Sequence, residues 1–313
     1  LLKNGRLPNI KKLMDEGTYG TLNSTIPPIS PVAWSSFVTG QKPYKHGIMD
    51  WFMREDDNNF RTANANDRKS VSFWNYLNKG GVKVGVVNIP MTYPAEEIHG
   101  FFISGFDSPS GSPRKVYPVK ILNESKTNPK LNSLLNAPSW EIATKEKRFD
   151  DFASLYFQYI KTQTEVSMDL IRQYDVDVFI INYMVCDHFN HYMRDFSYVE
   201  KGLEIIDACI GEIKGRYDEA NFIVISDHGS CRYEKIFLIS DWLKSIGFIE
   251  FKNDKYLDEM FESFVSTIAL RHKNLKGIWK LTNTLRSAPR IEKKFLLLAV
   301  KYYREEIYFS NEN

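Results

Sequence analysis

At 313 residues, with 43% apolar and 14% aromatic side chains, the chain can bury a sizeable core, which excludes a disordered tract and predicts one large domain with an insertion or two packed lobes. Lys and Arg number 41 against 39 Asp and Glu, a formal charge of +2, so no surplus positive field points to nucleic acid as a partner. The three cysteines, Cys186, Cys209 and Cys231, lack the paired spacing of a zinc knuckle and are an odd number for a disulfide framework, which favours a reducing compartment and a cytoplasmic location.

Hydrophobic periodicity alternates between helical and β-branched stretches through the first 250 residues. The spacing predicts a helix over 9–16, a buried strand over 82–89, a short strand over 101–104 and a long amphipathic helix over 150–174. A strand over 176–185, a helix over 198–217 and a strand over 221–226 follow. Strands separated by long helices need crossover connections, so the expected fold is α/β, a largely parallel sheet sandwiched by helices, with ligands at the carboxyl ends of the strands. Residues 105–147 are rich in Pro, Ser, Asn and Lys and predict a surface insertion or small cap on a 1–250 core. From 251 to 313 the chain turns basic and helical, with candidate helices over 257–270, 275–285 and 291–308, an incomplete accessory region. The longest late apolar run, Phe295 to Val300, stops at Lys301 and is too short to span a bilayer. A start on Leu1 and an end just after a helical stretch suggest a fragment, so a leader or anchor could lie on the flanks.

Three constellations carry chemistry. In Ile29-Ser30-Pro31 through Thr39-Gly40, Ser30 fits the N-cap of a helix, Pro31 its first position and Gly40 the left-handed residue after its end. Two roles are open to a serine there: it caps the helix, or it attacks a phosphate drawn to the positive helix end. Asp187-His188-Phe189-Asn190-His191 follows the predicted strand 176–185. If the segment turns helical, Asp187 and His191 share a face and can chelate one cation, while His188 points elsewhere; the alternative is a polar loop. Asp227-His228-Gly229 closes the predicted strand 221–226 with two metal-capable side chains and a tight turn. Two Asp/His pairs at strand exits together favour a two-metal site.

The order of several motifs is similar to that of the type I phosphodiesterase/nucleotide pyrophosphatase family of the alkaline phosphatase superfamily. Gly5-Arg6-Leu7-Pro8-Asn9-Ile10 and the stretch from Pro27 through Thr39-Gly40 to His46-Gly47-Ile48 resemble its opening. Ile89-Pro90-Met91-Thr92-Tyr93-Pro94 and Ser104-Gly105-Phe106-Asp107-Ser108-Pro109 resemble its middle, and Ser226-Asp227-His228-Gly229 its late metal motif. The resemblance implies an alkaline phosphatase-like fold, with Ser30 as nucleophile and metal contact. It also implies Asp187 and His191 as ligands of one metal, and Asp227 and His228 as ligands of the other. The family's first-strand aspartate and far downstream third histidine have no counterpart here, so each metal is expected to be one ligand short. The asparagine that often follows the nucleophile in nucleotide-cleaving members is also missing, which leaves the substrate open. His46 is expected to be structural, and His99 and His272 to be ordinary surface histidines.

The implied activity is metal-dependent hydrolysis of a small phosphoester such as a nucleotide, through a covalent phosphoserine, with two divalent ions, zinc first and manganese as a substitute. Alternatives are a phosphomutase of the same superfamily and a non-catalytic scaffold; a sulfatase loses ground because no cysteine lies near Ser30.

Overall fold

The computed structural model describes residues 1–55, 59–109, 111–193, 195–231 and 237–248. Contacts divide the chain into one unit over Leu1–Cys231 and a second over Arg232–Asn313. In chain order the first unit carries α1 (Pro8–Glu16), α2 (Ser30–Thr39), α3 (Pro43–His46), β1 (Phe52–Arg54), β2 (Phe60–Thr62), α4 (Phe73–Lys79), β3 (Val84–Ile89), β4 (Gly100–Ser104) and β5 (Val116–Tyr117). It continues with α5 (Lys120–Ser125), α6 (Pro129–Leu135), α7 (Glu141–Thr144), α8 (Phe149–Tyr174), β6 (Val178–Ile181), α9 (Val185–Tyr192) and α10 (Ser197–Arg216). In the second unit α11 spans Ile239–Ser245. The expected helices over 257–270, 275–285 and 291–308, and the accessory region 251–313 as a whole, lie outside the described residues.

The fold is α/β with a mixed sheet in the order β5-β4-β3-β6. β3 pairs in parallel with β4 and β6, whereas the two-residue β5 runs antiparallel to β4. β1 and β2 form a separate antiparallel pair. Among the described residues the expected largely parallel sheet thus amounts to three parallel strands. All six residues of β3 are buried, as suits a strand covered on both faces. Val87, Phe101 and Ile103 pack with Ile121, Leu131, Leu134, Val166 and Leu170 from α5, α6 and α8. Val84, Val86 and Phe102 pack on the other side with Trp34 and Val38 of α2 and Trp74 of α4. Residues 105–147, expected as a surface insertion or small cap, thus include Ile121, Leu131 and Leu134 buried against one face of the sheet.

α8 runs 26 residues because its apolar positions recur at helical spacing, with Phe152, Tyr156, Tyr159, Ile160, Val166 and Leu170 all buried. Asp150 and Asp151 sit in its first turn and Arg172 in its last, the polarity the helix dipole favours. The predicted strand 176–185 ends early: β6 stops at Ile181 and α9 has begun by Val185. Asn182 causes the change of direction, since its side-chain amide donates to the Asn88 carbonyl and the Asn88 amide donates to the Asn182 carbonyl, each at 3.2 Å. That clasp closes the carboxyl ends of β3 and β6 together. Residues 221–226 form no strand: they have no ladder partners among the described residues, and Ile223 is 86% exposed.

Candidate active site

Ser30 opens α2, but as its first helical residue rather than its cap; Ile29 takes the capping position and no side chain caps the end. Pro31 follows without an amide to satisfy, and the amides of Val32 and Ala33 both donate to the Ile29 carbonyl at 3.1 and 3.0 Å. The amides expected to cradle a phosphate after Ser30 are therefore already taken. At the far end Gly40 has φ 62° and donates to the Ser36 carbonyl, the left-handed stop that the sequence predicts. His46 is fully buried and uses both ring nitrogens structurally: Nδ1 accepts from the Ile48 amide at 3.2 Å, so Nε2–H donates to Ser36 Oγ at 2.9 Å. It fixes α2 against α3. Burial, aided by the nearby Arg68 charge, pushes its pKa below the ordinary value and keeps the ring neutral.

Freed from capping, the Ser30 hydroxyl meets His228 Nε2 at 2.9 Å. The tautomer follows from the other nitrogen. His228 Nδ1 lies 3.0 Å from the Gly229 carbonyl, which only accepts, so the proton sits on Nδ1 and the Nε2 lone pair faces Ser30. Asp227 Oδ2 lies 3.3 Å from the same Nε2. Among the described residues no sheet ladder holds this turn; instead Ser24 Oγ donates to the Asp227 carbonyl and Ser226 Oγ to the His228 carbonyl, both at 2.6 Å.

Asp187 and His191 lie one turn apart on α9, with Oδ1 and Nε2 3.4 Å apart. Asp187 is the electrostatic hub. Burial acts to raise its pKa, but hydrogen bonding from His191 and the fields of His191, His188 and His228 leave it below the ordinary carboxylate value. His191 is raised in return, chiefly by that hydrogen bond. The field of His228 links the α9 pair to the Ser30 turn.

Donor chemistry and spacing suit divalent ions. Two atoms bound to one tetrahedral zinc at about 2.0–2.2 Å lie roughly 3.3–3.5 Å apart, and the Asp187–His191 and Asp227–His228 separations are 3.4 and 3.3 Å. Among the described residues no group of three or more His, Cys, Asp or Glu that could hold a metal ion converges, so each pair offers two donors and no more.

His188, expected to point elsewhere than Asp187 and His191, is held by aromatic residues. Tyr156 Oη and His188 Nδ1 lie 2.8 Å apart, and the Phe106 ring meets the imidazole edge-on at 5.1 Å. Burial pushes the His188 pKa down to about 4. Tyr156 belongs to no motif of the sequence, whereas Phe106 lies in the family-like stretch 104–109, just beyond the end of β4, without a role that the sequence assigns. Asp107, next to it, accepts the Met91 amide at 3.0 Å, and its other oxygen is buried without a partner among the described residues.

A hydroxyl facing an imidazole nitrogen, with the Asp227 carboxylate beside that nitrogen, is an arrangement suited to ester hydrolysis. The family model for type I phosphodiesterase / nucleotide pyrophosphatase matches residues 1–308. The chain therefore belongs to that family, whose members are phosphoric ester hydrolases acting on small phosphoester and nucleotide substrates. No curated protein sequence matches the chain. No described helix is long and apolar enough to cross a membrane.

Proposed function

We propose that the chain is a metal-dependent phosphodiesterase/nucleotide pyrophosphatase that works through a covalent phosphoserine on Ser30. The observation that carries the reading is the 2.9 Å approach of Ser30 Oγ to a His228 Nε2 whose proton is held on the opposite nitrogen. Asp187 with His191 would hold one divalent ion and Asp227 with His228 the other, zinc by preference and manganese as a substitute. Such ions, when bound, supply Lewis acidity to the nucleophile and the departing oxygen.

The chain's own residues do the rest. The Ser30 Oγ proton passes to solvent as Oγ bonds to phosphorus, while the ester oxygen leaves with its electron pair and takes up a proton from solvent. Water then attacks phosphorus, the Ser30–phosphorus bond breaks, Ser30 Oγ is reprotonated and the phosphoryl group leaves bearing the water's hydroxyl. The Gly229 carbonyl holds the His228 ring in the tautomer that presents its lone pair to this reaction, the role that a backbone acceptor plays behind a ligating histidine. A small phosphodiester, including a nucleotide, is the proposed substrate class, and a cytoplasmic location accords with the three unpaired cysteines. The test is turnover of a chromogenic phosphodiester by the wild type and Ser30→Ala; equal rates would discard the assignment.

A further inference from the structure

Among the described residues, the turn that carries Asp227 and His228 is hydrogen-bonded to the rest of the protein from one side. The preceding stretch 221–226 has no ladder partner there, and the bonds from Ser226 Oγ to the His228 carbonyl and from His228 Nδ1 to the Gly229 carbonyl stay within the turn. They shape it without anchoring it. Both hydrogen bonds that reach the turn from elsewhere come from the segment leading into α2: Ser24 Oγ donates to the Asp227 carbonyl at 2.6 Å, and Ser30 Oγ meets His228 Nε2 at 2.9 Å. Pro27 and Pro28 lie between the two serines with φ fixed by their rings, and Thr25 Oγ1 donates to the Pro27 carbonyl at 2.8 Å, so the two grips keep their spacing. One serine holds the turn by its backbone and the other by its imidazole.

Function treats the two grips differently. With the ring proton on Nδ1, His228 has a single lone pair, on Nε2, and that lone pair accepts the Ser30 hydroxyl. Holding a divalent ion on Asp227 and His228 takes up the same lone pair, so the Ser30 grip and the ion exclude one another. The Ser24 grip is on a backbone carbonyl and is compatible with both. Resting on the two-ion reading of the site, we infer that Ser24 is a positioning residue for the Asp227–His228 pair: when the pair turns from Ser30 to an ion, the Ser24 hydroxyl keeps the 227–228 peptide in place and with it the 3.3 Å spacing of Asp227 Oδ2 and His228 Nε2. The Asp187–His191 pair is carried by α9 and does not draw on Ser24. Loss of the Ser24 hydroxyl should therefore be felt by one ion and not by the other.

The test is a zinc titration of the full chain, read by calorimetry against a competing chelator, in the wild type, Ser24→Ala and Ser24→Thr. The wild type should take up two ions. Ser24→Ala should weaken one of them on the order of 10- to 100-fold, the loss that follows removal of an outer partner of a ligating group, and leave the other within about twofold. Ser24→Thr keeps the hydroxyl and should bind as the wild type does. Background variants identify the ion: Ser24→Ala added to Asp187→Asn should leave no tightly held ion, whereas added to Asp227→Asn it should leave the remaining ion unchanged. Weakening of both ions together, or a loss that threonine does not repair, would mean that Ser24 supports the fold at large and overturns the inference. A wild type that takes up no zinc ends the two-ion reading and this inference with it. Two ions held equally by the wild type and Ser24→Ala leave that reading standing and remove only the role of Ser24.

Discussion

Ser30 Oγ and His228 Nε2 stand 2.9 Å apart although 198 residues separate them in sequence. Because the serine hydroxyl caps no amide of α2, removing it leaves the helix end as it was. Ser30→Ala should therefore cost no more than about 1 kcal/mol of stability while lowering diester turnover on the order of 10³-fold or more. Parallel thermal melts and rates with a chromogenic diester check both halves. A variant that melts early as well as losing activity would mean that the hydroxyl is structural after all.

Metal dependence tests the two Asp/His pairs. Chelation should remove turnover, and zinc or manganese should restore it. Asp187→Asn and Asp227→Asn should each lower the metal content of the purified protein, since an amide is a poorer ligand than a carboxylate for these ions. Elemental analysis beside the rate assay reads the outcome, and a metal-free protein that turns over at the full rate would end the two-ion proposal.

The elements legible in the sequence were those whose own pattern suffices. The periodic faces of α1, α8 and α10, the fully buried β3 and the largely buried β4 fall within a few residues of their predicted spans, because burial of a stripe or a run is encoded locally. The stretch 221–226 was misread for a physical reason. Phe222, Ile223, Val224 and Ile225 have strand-forming side chains, but a strand also needs a neighbour, and among the described residues these have none. The Asp227 turn is positioned instead by Ser24 and Ser30, contacts that no periodicity announces. Similarly, the pairing of Asp187 with His191 follows from helical spacing, whereas the clamp of Tyr156 and Phe106 on His188 joins three distant elements and is invisible before folding.

Asp207 gives a stability prediction away from the site. It is 2% exposed on α10, where Oδ2 accepts the Asn9 amide and side chain at 3.1 and 2.8 Å and Oδ1 accepts the Ile10 amide at 2.7 Å. Pro8 has no amide and Leu7 cannot cap, so this carboxylate from another helix supplies the missing acceptor at the positive end of α1. Asp207→Ala strands these donors and should destabilise the fold by about 3 kcal/mol, read as a lower urea midpoint. An unchanged midpoint would show that water replaces the carboxylate without loss.

Asp107 predicts a pH dependence that runs against the usual direction for a carboxylate. Burial pushes its pKa up to about 6 from 3.8, only partly opposed by hydrogen bonds from the Met91 amide and its own. A raised pKa in the fold means that folding favours the protonated acid. Its stabilising contribution is therefore complete below pH 3.8 and is lost as pH rises through about 6. The surroundings allow little relief, because a Cβ on Gly105 would lie 2.6 Å from Asp107 Oδ1 and 2.5 Å from the Ile89 carbonyl, so this corner is closed by backbone. Asp107→Asn keeps an acceptor for Met91 but carries no charge at any pH. Relative to the wild type, the variant should gain stability between pH 4 and pH 7, with little difference at the acid end, as measured by urea midpoints across that range. If the two curves stay parallel, Asp107 is solvated as a carboxylate in the folded protein and the burial argument fails; if the variant loses ground as pH rises, the ionised form is the one the fold prefers.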